Sequence, residues 1–219
     1  MKVIELKKTF TESNDRDAEE LRAYLKEKKI FLINLMSAAG SGKTTLLSRV
    51  ITDLRGRASI AVMEADIASQ VDAERIAALG ARSIQVHTDG MCHMDAGMTR
   101  TGLEAMDLAG TDVIFLENIG NLICPAEYDT GAAKNVMILS VPEGDDKPLK
   151  YPLMFRESDA LVITKTDTLS YFNFDMEKAV QRVKRLNPAI RIFPLSAKTG
   201  DGMAPFEQWI LDEADAWRA

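Results

Sequence analysis

An α/β fold, with a mainly parallel sheet and helices on both faces, is predicted by three features of this chain. Apolar, β-branched runs alternate with helix-period segments from one end to the other. Several of those runs are apolar at nearly every position, the pattern of strands covered on both faces. A Gly-rich loop, "SAAGSGKTTLL" (37–47), follows the first such run and opens an amphipathic segment. Together they describe sequential strand–helix units wound onto one sheet.

The elements follow in order. "SNDRDAEELRAYLKEKK" (13–29) reads as a capped helix, with Leu21, Tyr24, Leu25 and Lys28 on neighbouring turns, packed on the flank of the domain. The strands are expected at "KIFLINLM" (29–36), "SIAVME" (59–64), "RSIQVH" (82–87), "DVIFLEN" (112–118), "NVMILSV" (135–141), "ALVITK" (160–165) and "IRIFPL" (190–195). Amphipathic segments lie among them: "KTTLLSRVITDL", "VDAERIAAL", "FNFDMEKAVQRVKRL" and "MAPFEQWILDEADAW". The breaker-rich stretch 140–152 is too short to separate domains. Residues 1–219 are read as one domain, with 1–28 as an N-terminal helical extension packed on it.

The 219 residues are ordinary for a globular protein, with 46% hydrophobic and 27% charged residues. A net charge of −6 argues against nucleic-acid binding, which needs clustered Lys and Arg. The basic runs 25–29 and 182–185 read as solvated helix faces. No apolar run approaches the roughly 20 residues that span a bilayer, and the first residues lack a secretory pattern. The two cysteines, Cys92 and Cys124, read as reduced thiols, so the expected location is the cytoplasm.

In the loop after the first strand, Gly40 and Gly42 let successive N–H groups face phosphate oxygens at the positive end of a helix. Ala39, Ser41 and Thr45 complete the cradle. Lys43 reaches the β and γ phosphates, and the Thr44 hydroxyl suits Mg²⁺. The usual motif begins with Gly, and Ser37 stands in that position. Carboxylates to hold the metal or order an attacking water are expected at later strand ends. Glu117 lies in "ENIG", where many GTPases carry "DxxG", and Asp66 and Asp72 lie in "EADIASQVDAERI". Asp66 joins Thr44 as a Mg²⁺ ligand. Asp72, just before "AERI", also reads as a helix cap. No strong general base is evident, which implies slow turnover.

Two further strand ends choose the base. "TKTD" (164–167) and "SAK" (196–198) are similar to the guanine-recognition motifs "NKxD" and "SAK". Asp167 would accept from the guanine N1–H and exocyclic amine, which adenine cannot reproduce. The Lys165 stem would cover the base, and Ser196, Ala197 and Lys198 would line its O6 side. Thr164 stands where Asn is usual, which predicts a weaker brace on the loop. GTP is expected over ATP.

In "GMCHMDAG" (90–97), Cys92 and His93 are adjacent at the start of an expected helix, whose N-terminus would favour the thiolate. Cys124 follows a later strand that this topology can place beside the first. Because residues i and i+1 do not share a helix face, both ligands can serve one ion only from the loop or first turn. Cys92, His93 and Cys124 are read as a Ni²⁺ or Zn²⁺ site beside the nucleotide. Three ligands leave it incomplete, and a symmetric dimer would complete it. His87 is an outside candidate, and Met91, Met94 and Met98 read as a core or interface stripe.

These segments, with "FLENIGNLICPAEYDTGAAKNVMILSVPEGDDKPLKYP", resemble the nickel-incorporation GTPase family HypB of [NiFe]-hydrogenase maturation. The resemblance runs from about Asn14 to the C-terminus. It implies a GTP- and metal-dependent homodimer that holds Ni²⁺ or Zn²⁺ through Cys92, His93 and Cys124. It implies, as partners, a nickel metallochaperone and a hydrogenase large-subunit precursor. It also suggests that Lys147 or Lys150 reaches nucleotide across the dimer. Some members carry an N-terminal "CxxCGC" or His-rich site; this chain's N-terminal segment has neither residue type. The urease accessory GTPase is a relative whose motif places Pro between Cys and His. A P-loop small-molecule kinase leaves "TKTD" and "SAK" without a role. A non-catalytic nickel chaperone with a decayed nucleotide site is opposed by intact Lys43 and Thr44.

Overall fold

In the computed structural model, residues 6–66, 76 and 78–219 are described. The seven expected strands are all present: β1 (Phe31–Ser37), β2 (Ile60–Asp66), β3 (Arg82–His87), β4 (Val113–Gly120), β5 (Lys134–Ser140), β6 (Ala160–Thr164) and β7 (Arg191–Pro194). They form one sheet in the order β3-β2-β4-β1-β5-β6-β7, with every adjacent pair parallel. The sheet is therefore entirely rather than mainly parallel. Chain order turns around β1, which lies between β4 and β5, and this places a crevice at its carboxyl end.

The helices are α1 (Leu6–Glu27), α2 (Lys43–Asp53), α3 (Ala96–Ala105), the short α4 (Lys147–Lys150) and α5 (Pro152–Arg156), α6 (Met176–Leu186) and α7 (Met203–Arg218). The N-terminal helix starts at Leu6, so the cap expected near Ser13 is not made and the chain runs through it as helix. Most of the helix expected at 71–79 lies outside the described residues.

Strand periodicity sorts the core onto two faces. Phe31, Ile33 and Leu35 of β1 pack with Leu46, Leu47 and Val50 of α2 and with the aromatic residues of α7. On the other face, Leu32, Ile114 and Leu116 meet Leu21 and Leu25 of α1 and Leu103 of α3. Farther along that face, Met137, Leu139 and Leu161 pack under α5 and Val183 of α6. Burial of each large side chain contributes about 1.5–3 kcal/mol, and these layers hold the loops at the carboxyl edge.

Three asparagines interrupt the apolar runs. Asn118 Nδ2 donates to Asn34 Oδ1 at 3.0 Å, and Asn34 Nδ2 donates to Asn135 Oδ1 at 3.0 Å. Asn135 Nδ2 reaches the Glu157 carbonyl at 3.2 Å. This amide ladder crosses β4, β1 and β5, and Asn118 Oδ1 accepts the Met94 N–H at 3.2 Å from the loop before α3.

Among the described residues, no helix is long and apolar enough to cross a membrane.

Candidate nucleotide and metal site

The phosphate loop is built by backbone conformation first. Gly42 precedes α2 with φ +101°, a left-handed conformation that side chains resist. Ser37, fully buried at the end of β1, explains the departure from the usual motif. Its hydroxyl accepts from Ser41 Oγ at 2.7 Å and from Lys43 Nζ at 2.9 Å, and it donates to the Ala38 carbonyl at 2.8 Å. One hydroxyl thus ties the two ends of the loop together. Ala39, Gly40, Gly42, Lys43, Thr44 and Thr45 line a cleft of about 440 Å³.

Glu117 enters this cleft from β4, and Thr44 Oγ1 donates to its Oε1 at 3.1 Å. Gly120, at the end of "ENIG", has a steric reason: a Cβ there would lie 2.8 Å from the backbone N and Cα of Ala39. Glu64, a residue the sequence reading missed, also lines the cleft and is buried on β2. It is the Cα register partner of Glu117. Its signal, a carboxylate ending an apolar strand, looked like an ordinary strand terminus. Asp66 is the last residue of β2. Asp72 lies outside the described residues.

A second cavity of about 330 Å³ shares Gly42, Thr45 and Lys165 with the first and continues along Thr164, Asp167 and the 196–198 loop. Lys165 Nζ donates to the Gly40 carbonyl at 2.8 Å, which lays its stem over the loop. Ser196 Oγ donates to Asp167 Oδ1 at 2.7 Å, fixing the carboxylate toward the cavity. Thr164 makes the brace that the sequence expected to be weak: its hydroxyl donates to the Ser41 carbonyl at 2.8 Å. The shorter side chain meets a loop carbonyl directly.

Cys92 and His93 occupy the loop before α3, not its first turn. The helix cap is Asp95, whose side chain accepts from the Met98 N–H. Contrary to the expectation of neighbouring strands, β2 separates β3 from β4, so this loop spans the end of β2 to reach Cys124. The donor atoms of Cys92, His93 and Cys124 nevertheless all lie within 4.8 Å of one another. Cys92 Sγ is 2.7 Å from Cys124 Sγ and 3.8 Å from His93 Nδ1. His87, exposed at the end of β3, is not in the cluster. The methionine stripe divides: Met94 is core, Met98 packs against it, and Met91 is exposed beside Cys92.

The hydrogen bond to Cys124, reinforced by burial and by the charges of Cys124 and Glu127, pushes the Cys92 thiol up. The direction is opposite to the lowering expected of a helix terminus, and Cys92 lies in the loop outside α3. Burial pushes the His93 imidazole down, against Asp95 and Glu127, so a neutral ligand nitrogen is available at neutral pH. Its ring stacks on Tyr128 at 3.7 Å between centroids, and Nε2 is buried with no hydrogen-bond partner among the described residues. Two thiols and an imidazole suit a borderline divalent ion such as Ni²⁺ or Zn²⁺.

Residues 31–194 match the family model described as "CobW/HypB/UreG, nucleotide-binding domain". The hydrogenase maturation factor HypB of Rhizobium leguminosarum bv. viciae is 41% identical over 209 residues, covering 95% of this chain and 70% of that protein. The crystal structure of HypB from Helicobacter pylori in complex with nickel superposes with a TM-score of 0.89 at 35% identity, over 93% of this chain and 96% of that one. HypB from Archaeoglobus fulgidus gives 0.86 at 35% identity, over 92% and 98%.

Proposed function

Because the chain belongs to the HypB family of hydrogenase maturation factors, we propose that it is a slow regulatory GTPase that passes nickel toward a [NiFe]-hydrogenase precursor. The observation that carries this reading is the shared sheet edge. β4 brings Glu117 into the phosphate cleft, and the chain leaving β4 brings Cys124 to Cys92 and His93.

In this reading Lys43 and the loop N–H groups bind the β and γ phosphates of GTP. Asp167, held by Ser196, selects guanine, and the Lys165 stem covers it, with Ser196, Ala197 and Lys198 around the O6 edge. Thr44 and Asp66 would hold Mg²⁺, which neutralises phosphate charge when bound. Glu117, with Glu64 beside it, handles the attacking water, a task in which Asp72 would share. In the absence of a strong base, hydrolysis is slow and serves to reset the state. Nickel, the cargo, is gripped by Cys92, His93 and Cys124, a set that also accepts Zn²⁺.

Three donors from one chain leave the coordination sphere incomplete, so a GTP- and metal-dependent homodimer closes it, with Lys147 or Lys150 reaching across. The partners are a nickel metallochaperone and the hydrogenase large-subunit precursor. Residues 1–219 work as one GTPase domain with its N-terminal extension, in the cytoplasm, where the thiols stay reduced.

Nickel titrations of the GDP form and of a form loaded with a non-hydrolysable GTP analogue test this reading. Affinity should differ at least several-fold between the two states, and equal affinity overturns coupled delivery. Cys92→Ala and Cys124→Ala should each abolish tight nickel binding while GTP affinity stays within about twofold.

A further inference from the structure

Both loops of the metal cluster are held by one residue of the N-terminal helix. Asn14 Oδ1 accepts the Ala96 N–H at 3.0 Å, and Asn14 Nδ2 donates to the Asp129 carbonyl at 2.9 Å. Ala96 opens α3 just beyond His93. Asp129 follows Tyr128, whose ring stacks on His93, in the segment that begins at Cys124. The Ala96 N–H is one of the donors at a helix start that the helix itself cannot satisfy, and the Asp95 cap already serves Met98. Asn14 therefore completes the cap of one loop with its oxygen and grips the other with its nitrogen.

The same helix anchors the second loop more widely. Arg22 Nη2 donates to both Asp129 carboxylate oxygens at 2.7 Å, and Arg22 Nε donates to the Ala132 carbonyl at 3.0 Å. A weaker polar link between the loops is Asn121 Nδ2 on the Cys92 carbonyl, at 3.4 Å. The family-model match begins at residue 31, so the clamp comes from outside that region.

Metal affinity depends on donors being held at a productive separation before the ion arrives, because ordering them afterwards costs binding energy. From this bridge we infer that Asn14 is a positioning residue for the metal centre, setting the separation between the loop of Cys92 and His93 and the loop of Cys124. α1 is thereby part of the metal site's supporting shell, where altered partners commonly cost about 10- to 100-fold in affinity.

The inference rests on the metal reading above, and the experiment separates the two. The full-length chain is titrated with Ni²⁺ against a competing chelator while the thiolate-to-nickel charge-transfer band is recorded, and GTP affinity and thermal unfolding are measured alongside. Asn14→Ala should lower nickel affinity about tenfold and alter the band, with GTP affinity within about twofold. Glu20→Ala removes another contact between α1 and α3, to Arg100 at 3.9 Å, and should leave nickel binding unchanged. If Asn14→Ala fails to fold, Asn14→Asp carries the same test, since it keeps the acceptor for Ala96 and loses the donor to Asp129. An unaltered affinity and band in the Asn14 variant overturns the inference. So does an equal loss in Glu20→Ala, or a parallel fall in GTP affinity. Nickel binding that is equal in the unaltered chain and Cys92→Ala would instead defeat the metal reading itself.

Discussion

The Thr164 hydroxyl donates to the carbonyl of Ser41 at 2.8 Å, joining the end of β6 to the phosphate loop. Both residues are buried, so loss of this bond strands a carbonyl away from water at a cost of about 1–3 kcal/mol. Thr164→Val keeps the shape and removes the donor. It should weaken GTP binding by roughly tenfold in calorimetry, whereas Thr164→Ser should stay near the parent. Parent-like affinity in Thr164→Val would show that the bond does not order the loop.

In the proposed function, base choice turns on Asp167, which lines the second cavity. Asp167→Asn presents an amide that cannot accept two guanine N–H donors through two equivalent oxygens. A hydrogen bond to a charged partner contributes about 1.5–3 kcal/mol, so GTP affinity should fall roughly 10- to 100-fold. Competition binding with GTP and ATP checks it. A variant that still prefers GTP by the parent's margin would move base selection elsewhere.

Gly120→Ala tests the close approach of β4 to the phosphate loop. The added methyl would meet the Ala39 backbone at 2.8 Å, and backbone cannot swing aside as a flexible side chain can. An overpacking cost of about 1–3 kcal/mol is expected, read as a lower unfolding temperature together with weaker GTP binding. If the variant binds GTP like the parent, the loop has room that this geometry denies.

A pH effect is expected far from both cavities. Glu207 of α7 is 8% exposed, and burial, then the hydrogen bond and charge of Asp53, hold its carboxyl above the usual range against Arg49 and Arg57. A raised folded-state value means that the folded chain holds this proton more tightly than the unfolded chain. The associated stability is complete below the unfolded value and is lost as pH rises through the folded one. Glu207→Gln, neutral at every pH, should therefore raise the unfolding temperature at pH 8 by roughly 2–4 °C per kcal/mol gained, with little change near pH 4. Calorimetry at both pH values gives the answer, and a gain confined to pH 4 would reverse the sign argued here.

Most of the fold was readable from apolar runs, because strands buried on both faces advertise themselves as unbroken hydrocarbon. "RSIQVH" matches β3 residue for residue, and the other strands shift by at most two residues at either end. Lateral order was not readable. The sequence allowed β3 and β4 to be neighbours, and β2 lies between them, since chain order alone does not say which strands adjoin. The thiol pair and the phosphate loop were visible because their residue types are rare or fixed in spacing. Glu64 was missed because its meaning depends on Glu117 one strand away. Asn14 and Tyr128 were missed because a single amide or ring on a helix or loop has no pattern until its partners are placed.

The amide ladder through Asn118, Asn34 and Asn135 has a mechanical consequence. Sliding β1 by one residue against β4 or β5 would turn Asn34 to the opposite face and leave the buried Asn118 amide without its acceptor. The ladder thus works as an alignment key. It fixes how far β1 carries the phosphate loop past the strand that bears Glu117, and it makes slipped pairings of the central strands costly while the chain is still folding.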